Sequence, residues 1–427
     1  MGQNQTSLTK RIHRPLAQAV VDTLHEIFVE RRKADRAIQS VLKSNKKWGS
    51  KDRAFIALNS YEIVRWWRLL HHYNQSDYNK DIKKENLWKL LGISLIREGY
   101  ILPDWAEFKE LAHLNLDVLR DNLPSERSIV QSIPDWMDKQ AVAAIGDQWS
   151  KEIAAMNKAA SVFLRVNVLK TNHSELQAAL RKEEIETELV PNVESALKIT
   201  RRKNLFATAA FKQGWFEVQD AGSQQIAPFL EVAPGMRVVD ACAGAGGKTL
   251  HLATLMQNKG SLIAMDIYEW KLKELKLRAR RNGIHNVEGR VIENAKVIKR
   301  MTAKADRLLL DVPCSGLGVL RRNPDSKWKM RPEFIKEVMG TQADILERYS
   351  KMLKPGGKLV YATCSILPQE NELQVQKFLK NNPLFILEEE KRISPAKSGF
   401  DGFYMARMVL NDIPAPRKNS KAEKNEA

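Results

Sequence analysis

The sequence predicts an α/β protein: a doubly wound, mostly parallel sheet in the C-terminal half, preceded by a small α+β module and an all-helical N-terminal region. Three observations carry this. Between residues 232 and 410 the apolar runs Val238-Val239, Leu262-Ile263-Ala264-Met265, Leu308-Leu309-Leu310 and Leu359-Val360-Tyr361 alternate with helix-length amphipathic stretches, the grammar of repeated βαβ units. Near residue 162 a period-2 pattern starts, and before residue 121 the apolar period is that of a helix.

Taken in order, Leu16, Val20, Leu24, Ile27 and Phe28 recur at helical spacing, and Phe55, Leu58, Tyr61, Ile63, Val64 and Trp67 repeat it. Trp66-Trp67 falls inside such a stripe, where aromatic rings are core more often than a platform for stacked bases. Val162, Leu164, Val166 and Val168 alternate with Phe163, Arg165 and Asn167, predicting a half-buried strand. Asn172 and Glu175 form a capping box ahead of Leu176, Ala179 and Leu180. Short apolar stretches at 187–189 and 197–199 complete the module. These patterns divide the chain at 1–145, 146–230 and 231–412, and residues 413–427, with nothing to bury, predict a disordered basic tail.

Composition limits the partners. Lys+Arg 69 against Asp+Glu 51 gives a net charge of +18, which favours a polyanion, nucleic acid first, over a small neutral ligand. Residues 1–70 hold 14 basic and 6 acidic residues, and Lys271, Lys273, Lys276, Arg278, Arg280 and Arg281 crowd a second segment. The plain alternative is that such charge serves solubility. Three cysteines in 427 residues, without a C-x-x-C pair, argue against a disulfide framework or a metal site and fit a reducing cytoplasm. No run of 18 apolar residues predicts a membrane span, and a monomer is expected.

Two of those cysteines sit directly behind apolar runs. Asp311-Val312-Pro313-Cys314-Ser315-Gly316 follows Leu308-Leu309-Leu310, and Ala362-Thr363-Cys364-Ser365 follows Leu359-Val360-Tyr361. Ligands of open parallel sheets bind at the carboxyl ends of strands, so both thiols would open into one crevice. The third, Cys242, lies in Asp240-Ala241-Cys242-Ala243-Gly244-Ala245-Gly246-Gly247-Lys248-Thr249. This loop suits a nucleotide-type ligand at a helix N-terminus, whereas a P-loop would need its first glycine where Cys242 stands. Asp266 ends the next strand 26 residues after Asp240, the place for an acid on ribose hydroxyls. An adenosine site beside two thiols points to S-adenosylmethionine (SAM) and to methyl transfer onto a pyrimidine C5. That carbon is a poor nucleophile until a thiolate adds at C6, and a second group is then useful to complete release. Asp311 could read N3 and the amino group of cytosine or simply cap a turn.

These segments resemble the Sun/Fmu/RsmB family of RNA cytosine-C5 methyltransferases over nearly the whole chain. Also similar are Arg321-Arg322-Asn323-Pro324-Asp325-Ser326-Lys327-Trp328, Glu370-Asn371-Glu372, Arg165-Val166-Asn167, Gln219-Asp220-Ala221-Gly222-Ser223-Gln224 and the run from Asp401 to Arg407. The resemblance implies a Rossmann-like SAM-dependent methyltransferase domain with Cys364 as nucleophile and Cys314 assisting product release, roles that the residues alone leave open. It also implies Lys248 and Asp311 at the base, and a cofactor site formed by Cys242, Ala243, Gly244, Ala245, Gly246, Gly247, Lys248, Asp266, Asn294 and Asp311. Asn294 stands where the family commonly has Asp on the adenine amino group, and a turn residue is the alternative. The chain departs from the family's Cys-Ala-Ala-Pro-Gly-Gly-Lys-Thr loop, having Ala245 for the proline. A looser loop and weaker SAM binding are expected. The helical region resembles the NusB-like RNA-binding domain, which implies 16S rRNA as substrate; its Arg14, Arg36, Lys51 and Arg53 are candidates for phosphates, with a solvated basic face as the alternative. The alternatives are a tRNA substrate and a non-catalytic RNA-binding assembly factor.

Overall fold

The computed structural model describes residues 12–201 and 203–411; the reading of residues 413–427 lies outside them. Internal contacts divide the chain into one unit ending at Ala159 and including Val319–Phe334, and a second beginning at Ala160 and resuming at Ile335. The division falls at 159/160, past the 145/146 boundary of the sequence reading, because the helix Gln148–Met156 buries Trp149 completely and bonds its indole to Asp138 at 2.7 Å.

The first unit is helical. Arg14–Phe28 opens with Pro15, whose missing N–H costs nothing there, and buries Leu16, Val20, Leu24 and Ile27 as spaced. Ser50–Arg65 buries Ile56, Ile63 and Val64 but leaves Leu58 52% exposed, so that stripe is narrower than predicted. Trp67 is core, its ring stacked on Phe28 at 3.6 Å, while Trp66 is half-buried under the Arg97 guanidinium. The inserted segment is bound here: Asp325 Oδ2 accepts from Ala34 N at 3.1 Å, Trp328 donates to Val64 O and Lys327 Nζ to Arg65 O, each at 2.7 Å. Of the four proposed phosphate contacts, Arg14 is ion-paired with Glu107 and Arg53 bonds Trp48 O, whereas Arg36 and Lys51 are exposed.

The second unit contains two sheets among the described residues. The first joins β1 (Phe163–Val166), β2 (Thr187–Leu189), β3 (Ala196–Ile199) and β4 (Phe216–Val218) in the order β2-β3-β1-β4, all pairs antiparallel. With helices His173–Lys182 and Ala209–Lys212 this is the β-α-β-β-α-β arrangement of a ferredoxin-like module. The capping box forms, Glu175 N donating to Asn172 Oδ1 at 3.0 Å. β1 is buried on both faces, not one: Leu164 and Val166 pack on the helix side, and Phe163 packs against Val190, Val193 and Phe400.

The second sheet takes β5 (Arg237–Asp240), β6 (Ser261–Asp266), β7 (Val287–Val291), β8 (Ala305–Asp311), β9 (Leu353–Thr363), β10 (Phe385–Ile393) and β11 (Phe403–Leu410). Their order is β10-β11-β9-β8-β5-β6-β7. The pairs among β5 to β9 are parallel, and β11 is antiparallel to both neighbours. The chain leaves β5 towards β6 and β7, then returns to β8 on its other side, making the topological switch point where doubly wound sheets bind ligands. Val239, Ile263, Leu308, Leu310, Leu359 and Tyr361 fill its core.

Candidate active site

Strand ends converge at this switch point. β5 ends in Asp240, β8 in Asp311 and β9 in Thr363, so the two cysteine loops leave adjacent strands whose register pairs Asp311 with Ala362. The Cys314 and Cys364 sulfurs lie 3.1 Å apart, and Cys364 N points at Cys314 Sγ at 3.3 Å. The hydrogen bond with Cys364, then burial, pushes the Cys314 thiol well above its usual range. The loops also meet through backbone: Gly318 N donates to Cys364 O at 2.9 Å and Gly402 N to Gly318 O at 2.8 Å. A Cβ on Gly318 would sit 2.3 Å from Gly402 O, so no side chain fits there.

Lys248 and Asp311 are brought together, Nζ lying 2.6 Å from Oδ2. Burial opposes the ammonium charge, but the Asp311 carboxylate outweighs it and holds Lys248 above its ordinary value. Asp240 is buried beneath the loop, one oxygen accepting from Thr249 Oγ1 at 2.7 Å, and burial raises its carboxyl to about 7. Burial first, then Asp240, pushes the Cys242 thiol well up, so this third thiol stays protonated.

The glycine loop is held more firmly than its composition suggests. Gly244 N donates to Asp266 Oδ2 and Tyr268 N to Oδ1, each at 2.9 Å, with Lys271 3.7 Å away. Arg278 NH1 donates to Ala245 O at 2.7 Å, at the position that lacks proline. Arg278 is in turn held by Glu217 of β4 at 2.9 Å, and Glu217 also takes Arg281 and Asn282. Half of the basic cluster at 271–281 is therefore turned inward: Lys271, Arg278 and Arg281 are partly buried against acids, while Lys273, paired with Glu269 at 3.0 Å, Lys276 and Arg280 are exposed. Arg165 of β1 bonds Gln219 and the carbonyl of Gly247; burial lowers it to about 9.

These residues fit SAM by the chemistry of the donor set. The acid ending β6 faces the loop, the loop surface is open at Gly244, where a Cβ would meet nothing within 4 Å, and Asp311 remains partly exposed beside the thiols. Asn294, after β7, spends its amide oxygen on Lys296 N at 2.9 Å, capping Ala295–Lys299. Sequence reasoning did not assign Glu217, Arg278 or Glu370; the first two stood in the sequence only as ordinary charges, the last in a motif without a role.

The sheet, its glycine loop and the acid ending β6 are of the kind that SAM-dependent methyltransferases use, and comparison with known proteins gives that class. Residues 227–409 match the family model described as 16S rRNA methyltransferase RsmB/F, and residues 133–205 match an RsmF/B-like, ferredoxin-like domain. Ribosomal RNA small subunit methyltransferase B of Photorhabdus laumondii is 35% identical over 287 residues, covering 65% of this chain and 66% of that protein. The probable methyltransferase B of Synechocystis is 34% identical over 307 residues, 71% of this chain and 67% of that protein. The chain thus spans about two thirds of the length of these relatives. The crystal structure of PH0851 superposes with a TM-score of 0.80 at 25% identity, covering 94% of this chain and 100% of that one. The chain belongs to the Sun/Fmu/RsmB family, whose members are SAM-dependent RNA methyltransferases. No helix among the described residues is long and apolar enough to cross a membrane.

Proposed function

We propose that this chain methylates C5 of a cytosine in 16S rRNA, in the cytoplasm and as a monomer. The observation that carries the reading is the pair of thiols 3.1 Å apart at the ends of adjacent strands, beside the Lys248–Asp311 pair. Cys364 is the nucleophile: its thiolate adds to C6 and pushes electron density towards C5. SAM, when bound, supplies the electrophilic methyl group. Cys314, acting as base, then takes the C5 proton, the C5=C6 double bond re-forms and Cys364 leaves C6 as its thiolate. The Cys314 sulfur, 3.1 Å from that of Cys364, stands where this second step needs a group. Asp311 and Lys248 contact the base. The loop from Cys242 to Lys248 cradles the cofactor, Asp266 binds its ribose and Asn294 its adenine, through the lone pairs that their internal bonds leave.

A NusB-like helical unit and the ferredoxin-like module would present the RNA, whose target base must be unstacked to reach the thiols. The test uses purified chain and methyl-labelled SAM with 16S rRNA and, separately, tRNA, followed by nucleoside mass spectrometry for 5-methylcytosine. Cys314→Ala should accumulate a protein–RNA adduct that survives denaturing gels, and Cys364→Ala should form none; the reverse overturns the role assignment. Label entering only tRNA would keep the chemistry and discard the rRNA substrate. No label in either RNA would favour a binding factor.

A further inference from the structure

Behind the two thiols lies a carboxyl group that the proposed reaction leaves without a task. Glu370 opens the Glu370-Asn371-Glu372 motif, is 0% exposed, and forms no salt bridge among the described residues. A buried carboxylate without a cation is costly unless hydrogen bonds replace water. Here four do: Ser315 N at 2.7 Å, Ser315 Oγ at 2.5 Å, Ser365 Oγ at 2.5 Å and Gln342 Nε2 at 3.0 Å. A carboxylate offers about four lone-pair sites, so this one is saturated and has none left for a substrate proton.

The donors are not scattered. Ser315 directly follows Cys314 and Ser365 directly follows Cys364, and their hydroxyls approach each other at 3.2 Å on the same carboxyl oxygen. The next residue reinforces one side, Asn371 accepting from Thr363 Oγ1 at 2.5 Å and donating to Ser365 O at 3.0 Å. The Tyr361 hydroxyl fixes the Glu370 carbonyl at 2.7 Å.

We propose that Glu370 is a positioning residue: its carboxylate ties the Cys314 loop to the Cys364 loop and sets the separation at which the two thiols meet. Its use in catalysis rests on the two-thiol reading above, whereas the tie itself does not. Reacting groups must be held to about 0.5 Å, and a misplacement of about 1 Å can cost ~10²-fold in rate.

With its amide oxygen on the two serine hydroxyls, Glu370→Gln turns an N–H₂ towards Ser315 N and Gln342 Nε2, so the backbone bond that holds the Cys314 loop is lost. Ser365→Ala releases one loop's bond and leaves the carboxylate in place, and it serves if Glu370→Gln does not fold. The experiment follows iodoacetamide alkylation of Cys314 and Cys364 in the full chain against pH, each site resolved by mass spectrometry, alongside kcat and KM for SAM. Expected in both variants is a Cys314 alkylation rate changed at least fivefold at pH 8, and a kcat reduced at least tenfold with KM for SAM within twofold. Alkylation profiles within twofold of wild type in a folded variant overturn the tie. A changed profile in a protein whose wild type methylates no RNA would uphold the tie and reject the proposed reaction.

Discussion

Arg278→Ala should weaken SAM binding although Arg278 is given no contact with the cofactor. Its guanidinium bridges Ala245 O at 2.7 Å and Glu217 Oε2 at 2.9 Å, linking the cofactor loop to β4 of the ferredoxin-like module. A proline at 245 would stiffen the loop by about 0.4–1 kcal/mol. The hydrogen bond to a charged group that stands in its stead is worth about 1.5–3 kcal/mol. If about half of that acts on the binding-competent loop, the loss is ~0.8–1.5 kcal/mol, and Kd rises about 4- to 12-fold. Glu217 keeps Arg281 and Asn282, so no buried carboxylate is orphaned and the variant should fold. Isothermal titration calorimetry of SAM into wild type, Arg278→Ala and the double variant Arg278→Ala/Ala245→Pro gives the comparison. The double variant should recover several-fold. A Kd for Arg278→Ala within twofold of wild type would refute the argument that this bridge orders the loop.

Two further outcomes concern stability. Gly246 has φ 88° and a Cβ there would lie 2.6 Å from buried Leu275 Cγ, so Gly246→Ala should cost about 2–5 kcal/mol from left-handed backbone and overpacking together, read as a lower urea midpoint. Asp240 has a folded pKa of about 7 against an ordinary 3.8, so the folded state keeps a proton that the unfolded state releases. That penalty grows as pH rises from about 4 to 7, reaching at most ~4 kcal/mol. Asp240→Asn keeps an acceptor for Thr249 and loses this slope: its Tm relative to wild type should be higher at pH 8 than at pH 5.

The strands β5, β6 and β8 were legible because each is a short apolar run followed by chemistry-bearing residues, and both cysteine motifs landed where strand ends place them. β10 was not: an edge strand reading Phe385–Ile393 exposes most of its residues and carries three consecutive glutamates, so no apolar signal marks it. The basic cluster at 271–281 was legible as charge but not as direction, since only the fold brings Glu217, more than fifty residues earlier, against Arg278 and Arg281. The segment from Arg321 to Trp328 reads as part of the catalytic half because it lies between β8 and β9, yet its Lys327 and Trp328 bond to the helix ending at Arg65. Glu370 escaped because a carboxylate satisfied by serine and glutamine donors has no partner charge that spacing could reveal.

The central claim is cytosine-C5 methylation of small-subunit rRNA, and bisulfite sequencing of rRNA and tRNA from cells with and without the gene for this chain tests it most directly. The account predicts loss of 5-methylcytosine at a position in 16S rRNA, restored by the wild-type chain and not by Cys364→Ala. An unchanged pattern in 16S rRNA would contradict it.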